Sequence, residues 1–162
     1  MSAALRTCYS LNMKYGRLEI KAKVPKGDWI WPALWLLPST NAYGPWPASG
    51  EIDLMETKGN DPSYSAGGYN GFGSTLHWGP SHADNRYYYT TTGYTLPEGN
   101  LHDEFHTFGL YWDNDKLFTY LDTEDNKILN VDFTQESFWQ RGQFPDYLNN
   151  LWAGRSNAAP FD

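Results

Sequence analysis

The chain has 162 residues and a net charge of −7. That length suits one domain with a real core, and the acidic balance argues against a nucleic-acid partner, which needs a basic footprint. Aromatic residues make up 17 % of the chain, including 8 Trp and 12 Tyr. They are either fillers of a β core or walls of a cleft for a ligand with flat apolar faces and many hydroxyls, as sugars have.

A single cysteine, Cys8, excludes an intrachain disulfide and a cysteine metal cluster, and it reads as a small buried residue. No stretch approaches the ~18 apolar residues of a membrane-spanning helix, so no membrane partner is expected. The first residues carry no apolar h-region, so no signal peptide is expected there.

Tyr15 to Val24 alternates: Leu18, Ile20, Ala22 and Val24 face one way, and Arg17, Glu19, Lys21 and Lys23 the other. This is a half-buried strand, closed by a turn at Pro25–Gly27. A second strand is expected over Trp29–Leu37, with Trp29, Trp31, Ala33 and Trp35 on one face and Pro32 interrupting its pairing. Residues 39–49 read as a loop, and 58–73, rich in Gly, Asn, Ser and Tyr, as a long one. Further strands are expected at Ser74–Trp78, Arg86–Thr92, Phe105–Trp112, Lys116–Asp122 and Ile128–Phe133. Asp113-Asn114-Asp115 forms a hairpin turn, and a short helix falls within Thr134–Arg141. Many short strands with turn signals between them predict an all-β, antiparallel sandwich.

Between the two loops lies Gly50-Glu51-Ile52-Asp53-Leu54-Met55-Glu56. Glu51 and Asp53, two apart on a strand, share a face. Glu56 falls on the opposite face unless one extra residue, a β-bulge at Leu54 or Met55, brings it back. All three acids then line one face, while Ile52 and one of Leu54 or Met55 enter the core. Crowding three like charges on a sheet face costs stability, which favours a functional reading over an incidental wet edge.

Two carboxyl groups across a cleft are the means of cleaving a glycosidic bond: one ionised to attack the anomeric carbon, one protonated to assist the leaving oxygen. A gap of about 5–5.5 Å between them is the retaining geometry. In this reading Glu51 is the nucleophile and Glu56 the acid/base. Asp53, between them, hydrogen-bonds Glu51 and carries a charge that favours a proton on Glu56. Trp31 and Trp35 serve as core or as stacking surface with equal weight. Trp46, in a Pro-bounded loop leading to the acids, is favoured as a sugar platform. His77 is expected to tune a proton near Glu56 or Asp53. His82, His102 and His106 read as surface or structural, and Trp112 and Trp139 as core. No His/Asp/Glu spacing suggests a metal site.

Glu51-Ile-Asp53-Leu-Met-Glu56 resembles the E-x-D-x-x-E signature of glycoside hydrolase family 16 in its bulged form. The likeness extends to Lys14-Tyr-Gly-Arg-Leu-Glu19, Trp31-Pro-Ala-Leu-Trp-Leu-Leu-Pro38, Asn41–Gly50, Ser74-Thr-Leu-His-Trp-Gly-Pro80 and Arg155–Asp162. Together these segments are similar to the animal endo-β-1,3-glucanases (laminarinases) of that family and the β-1,3-glucan recognition proteins derived from them. The resemblance implies a β-jelly-roll of two curved antiparallel sheets, like concanavalin A, with a glucan in the concave cleft. It assigns the nucleophile to Glu51, the assisting acid to Asp53, the acid/base to Glu56, the cleft tryptophan to Trp46 and the neighbouring histidine to His77.

It also implies an extracellular monomer acting on β-glucan without a cofactor. A calcium ion belongs to the convex side of the full family fold, with its ligands outside this stretch. Residues 1–162 would then be one partial catalytic domain, incomplete at both ends, with unpaired strand edges and poor solubility in isolation. The alternatives are a non-catalytic glucan-binding protein of the same fold and a lectin-like sandwich whose acids are incidental. Recognition proteins of the group typically lose the catalytic glutamates; both are kept here.

Overall fold

The computed structural model describes residues 3–162. Eight strands are assigned among them: β1 (Gly16–Ala22), β2 (Ala33–Leu36), β3 (Glu51–Glu56), β4 (Gly71–His77), β5 (Thr91–Thr95), β6 (His106–Trp112), β7 (Lys116–Leu121) and β8 (Lys127–Asp132). A short helix, α1 (Phe138–Arg141), follows them. The strands form two four-stranded sheets, ordered β1-β6-β7-β8 and β2-β3-β4-β5. All pairings are antiparallel. The all-β sandwich expected from the sequence is what the chain forms. None of the described helices is long and apolar enough to cross a membrane.

The alternation in β1 is observed: Leu18, Ile20 and Ala22 are half-buried between exposed Arg17, Glu19 and Lys21. Asp113 turns the β6–β7 hairpin by accepting the backbone N–H groups of Asp115 (2.8 Å) and Lys116 (2.9 Å) on one carboxylate oxygen. Ser137 and Gln140 cap α1 reciprocally, and Phe138 is fully buried.

The core lies between the sheets in two clusters. One joins Ile52, Leu54, Leu76 and Trp78 to Leu110, Trp112, Leu117, Leu129 and Val131. The other gathers Met55, Phe72, Phe108, Leu121, Ile128, Val24 and Leu101. Leu54 (1 % exposed) and Met55 (2 %) are therefore both in the core, one in each cluster. The expectation of only one inward residue fails because both bulge residues turn to the same side.

Other expectations need correcting. The strand expected at Trp29–Leu37 shortens to Ala33–Leu36. Trp29 takes a left-handed backbone (φ 68°), and Pro32 has no N–H to pair. Arg86–Thr92 is no strand: Tyr87–Tyr89 form a 3₁₀ turn, and β5 begins at Thr91. The long loop ends at Asn70, with Gly71–Gly73 already paired in β4. Cys8 is exposed rather than buried.

Candidate active site

The bulge is visible in the pairing on both sides of β3. Asp53 and Glu56, three apart, face Thr75 and Gly73, which are two apart on β4. Met55 and Asp53, two apart, face adjacent Leu34 and Trp35 on β2. The extra residue returns Glu56 to the face of Glu51 and Asp53.

A buried polar chain holds this bulge. The Ser74 hydroxyl donates to the Leu54 carbonyl (2.6 Å) and accepts from the Thr119 hydroxyl (2.8 Å), which accepts from the Leu129 N–H (3.2 Å). Leu129 belongs to a second irregularity, where three steps of β8 face two of β7. Each hydroxyl thus satisfies a backbone group in or beside a bulge, and the two sheets are joined through the core.

The loop before β3 is equally fixed. Ser49 Oγ accepts from Tyr43 N–H (3.0 Å) and donates to Gly44 O (2.9 Å), while the Trp152 indole donates to Ala48 O (3.0 Å). Gly50 has φ +81°, and a Cβ there would meet the Phe161 ring at 2.9 Å, so only glycine enters the strand this way.

The sheet face carries the chemistry in cross-strand rows. Ala33, Glu56, Gly73 and Gly93 form one row, Trp35, Asp53, Thr75 and Thr91 the next, and Glu51 pairs with His77. Gly73 and Gly93 lie directly opposite each other. A Cβ would find nothing within 4 Å at Gly93 and only Thr92 O at 3.8 Å at Gly73. This bare strip floors a groove of about 680 Å³ running past Glu56, Trp31 and Lys58.

Asp53 is 1 % exposed. His77 Nε2 lies 3.2 Å from Asp53 Oδ2, close enough for an ion pair. Its N–H is aimed off that oxygen, which keeps no well-directed hydrogen bond. The Trp46 indole N–H donates to Glu51 Oε2. Burial lifts the Glu51 carboxyl to about 7, and the Asp53 charge adds to the lift; the Trp46 bond and His77 oppose it. Glu56 is raised by burial and then by Asp53, against His77, the Trp31 indole and Lys58. Burial pushes the His77 imidazole down. Its contact with Asp53 and the charges of Asp53, Glu51 and Glu56 outweigh this and leave it raised.

The structure brings every predicted site residue to this face. Three tryptophans stand exposed there: Trp46 (38 %) on Glu51, Trp35 paired with Asp53, and Trp31 beside Glu56. Trp112 is buried and Trp139 packs partly buried against the core. Sequence reasoning missed Asn85, which faces His77 Nδ1 at 2.9 Å. It also missed the wall made by His82 (5.2 Å from Trp46) and Tyr87 (5.3 Å from His77). The run of three tyrosines is the sequence signal for that wall, and it lies in a 3₁₀ turn rather than the expected strand. Asp53, Glu56 and His77 each offer an atom within 4.8 Å of the others, the spacing of a cation site that their sequence separation did not suggest.

The model of the glycosyl hydrolases family 16 matches residues 2–161. The chain belongs to this family. Hydrolysis in family 16 needs no cofactor. Among its relatives, a beta-1,3-glucan-binding protein of Penaeus monodon is 44 % identical over 161 residues, covering 99 % of this chain and 43 % of that protein. A glucan endo-1,3-beta-glucosidase of Cryptopygus antarcticus is 34 % identical, covering 93 % of this chain and 47 % of that one. The laminarinase catalytic domain of Thermotoga maritima superposes with a TM-score of 0.64 at 34 % identity, covering 78 % of this chain and 46 % of that chain. The family 16 chain described here thus spans less than half the length of these relatives.

Proposed function

We propose that this face hydrolyses β-1,3-glucan internally, with retention of anomeric configuration. Glu51 is the nucleophile, Glu56 the acid/base and Asp53 the group that sets their charge. The observation that carries the reading is the bulge, which brings Glu51, Asp53 and Glu56 to one face, with Glu56 and Trp31 lining the groove. In the first step Glu51 attacks the anomeric carbon while Glu56 protonates the departing oxygen. In the second, Glu56 takes a proton from water, which displaces Glu51. The Trp46 N–H favours the ionised form of Glu51 that the attack needs. Trp46, Trp35 and Trp31 supply flat surfaces for pyranose rings, and His77 holds Asp53.

A second reading, glucan binding without hydrolysis, is favoured by the name of the Penaeus monodon relative. Retention of both glutamates supports the enzyme. Proton NMR of the first product from laminarin decides the stereochemistry: the β-anomer is expected, and an α-anomer would refute the retaining mechanism. With Glu56→Ala, activity should fall far more on laminarin than on an aryl glucoside whose leaving group needs no proton. Equal losses would remove Glu56 from the acid role.

A further inference from the structure

His77 meets Asp53 with one ring nitrogen and Asn85 with the other. Asn85 stands in the segment between β4 and the Tyr87–Tyr89 turn, and its side-chain orientation is set by the backbone. Its Oδ1 accepts the N–H groups of Trp78 (3.3 Å) and Tyr87 (3.2 Å). A rotated amide would aim its N–H₂ at two donors. Asn85 therefore turns Nδ2 towards His77 Nδ1, 2.9 Å away. A donor on that side obliges Nδ1 to accept, so the imidazole's proton is on Nε2, towards Asp53.

We propose that Asn85 is a positioning residue of the active site, which fixes His77 as the neutral Nε2–H tautomer and denies it a second proton. This rests on the hydrolytic reading of the acids. Glu51, Asp53 and Glu56, all on β3, are the charged groups facing His77, and their charges favour an imidazolium. Tyr87 packs on the ring from the 3₁₀ turn at 5.3 Å and Trp46 from the loop at 5.6 Å; His82 stands behind Trp46. Burial of the ring opposes the second proton, and Asn85 opposes it at Nδ1 itself, because Nδ1–H would point into the Asn85 N–H₂.

The consequence reaches the reacting groups. A neutral His77 keeps its Nε2–H beside Asp53, with Nε2 3.2 Å from Oδ2, and leaves the negative charge that keeps a proton on Glu56. An imidazolium would cancel that charge and draw the proton off. The same tautomer shows Asp53 and Glu56 a proton rather than a lone pair, so the three do not form a cation site.

The test is the long-range ¹H–¹⁵N spectrum of the His77 ring near neutral pH, with kcat/KM measured across pH. The unsubstituted protein should show one protonated nitrogen, Nε2. Asn85→Asp keeps an acceptor for Trp78 and Tyr87 but places a second acceptor against Nδ1. Its His77 should become doubly protonated, the alkaline limb of kcat/KM should move to lower pH, and kcat/KM should fall by about tenfold or more, part of what general acid–base catalysis supplies. An imidazolium or an Nδ1–H ring in the unsubstituted protein, or an unchanged ring in Asn85→Asp, overturns the proposal. The ring spectrum needs no turnover, so a protein that cleaves no glucan would fail the hydrolytic reading while this readout still stands on its own.

Discussion

Glu51 and Glu56 are chemically identical side chains on one strand, and their surroundings distinguish them. Both are lifted by burial and then by Asp53, Glu51 to about 7. Trp46 donates to Glu51 alone, while Lys58 and the Trp31 indole act on Glu56. The reaction needs Glu51 ionised and Glu56 protonated. Activity is therefore lost on the acid side as Glu51 takes a proton, and on the alkaline side as Glu56 loses one. Because both are raised, the whole bell of kcat/KM should lie above the ordinary carboxylate range of about 4.3. Asp53→Asn removes the largest charge acting on either glutamate, so the residual activity should peak at lower pH. A peak that stays in place or moves to higher pH would show that Asp53 does not set these protons.

At the scale of elements, β3 is decided by its bulge and the bulge by two hydroxyls. Ser74→Ala leaves the buried Leu54 carbonyl without its donor, at a cost of about 1–3 kcal/mol. Thr119→Val removes the acceptor for Leu129 N–H and the bond to Ser74 at similar cost. Since each hydroxyl serves the other, the double variant in urea unfolding should lose clearly less than the sum, with a coupling of about 0.5–3 kcal/mol. Strict additivity would mean that the two bulges are held separately.

The bulge itself was legible, because a side-chain period of two leaves E-x-D-x-x-E no other way to share a face. Its fastening was not: Ser74 and Thr119 are 45 residues apart and meet only across the core. Tyr87–Tyr89 misled for a related reason. Tyrosine favours strands, but Asn85 Oδ1 takes the Tyr87 N–H and turns the chain. Trp29's left-handed backbone, whose N–H bonds to Asn60 Oδ1 from the next loop, was likewise invisible to alternation.

Over the whole molecule, one sheet carries the reacting face, and the other sheet packs behind it together with the buried aromatic residues that follow β8. The described strands seat the three acids, His77 and Trp35 in one register, and the loops before β2 and β3 add Trp31 and Trp46. Fold and acids were both readable from the chain because they follow from alternation and spacing. The groove floor at Gly73 and Gly93 was not, since it comes from two strands aligning their glycines. The proposed reaction has Glu51, returned to a common face with Glu56, cut a β-1,3-linked chain. Its most direct test is release of reducing ends from laminarin by the unsubstituted protein and by Glu51→Ser. Steady release is expected from the first and none from the second, with laminarin still bound by both. Release by Glu51→Ser at the unsubstituted rate, or none by either protein, would contradict the proposed reaction.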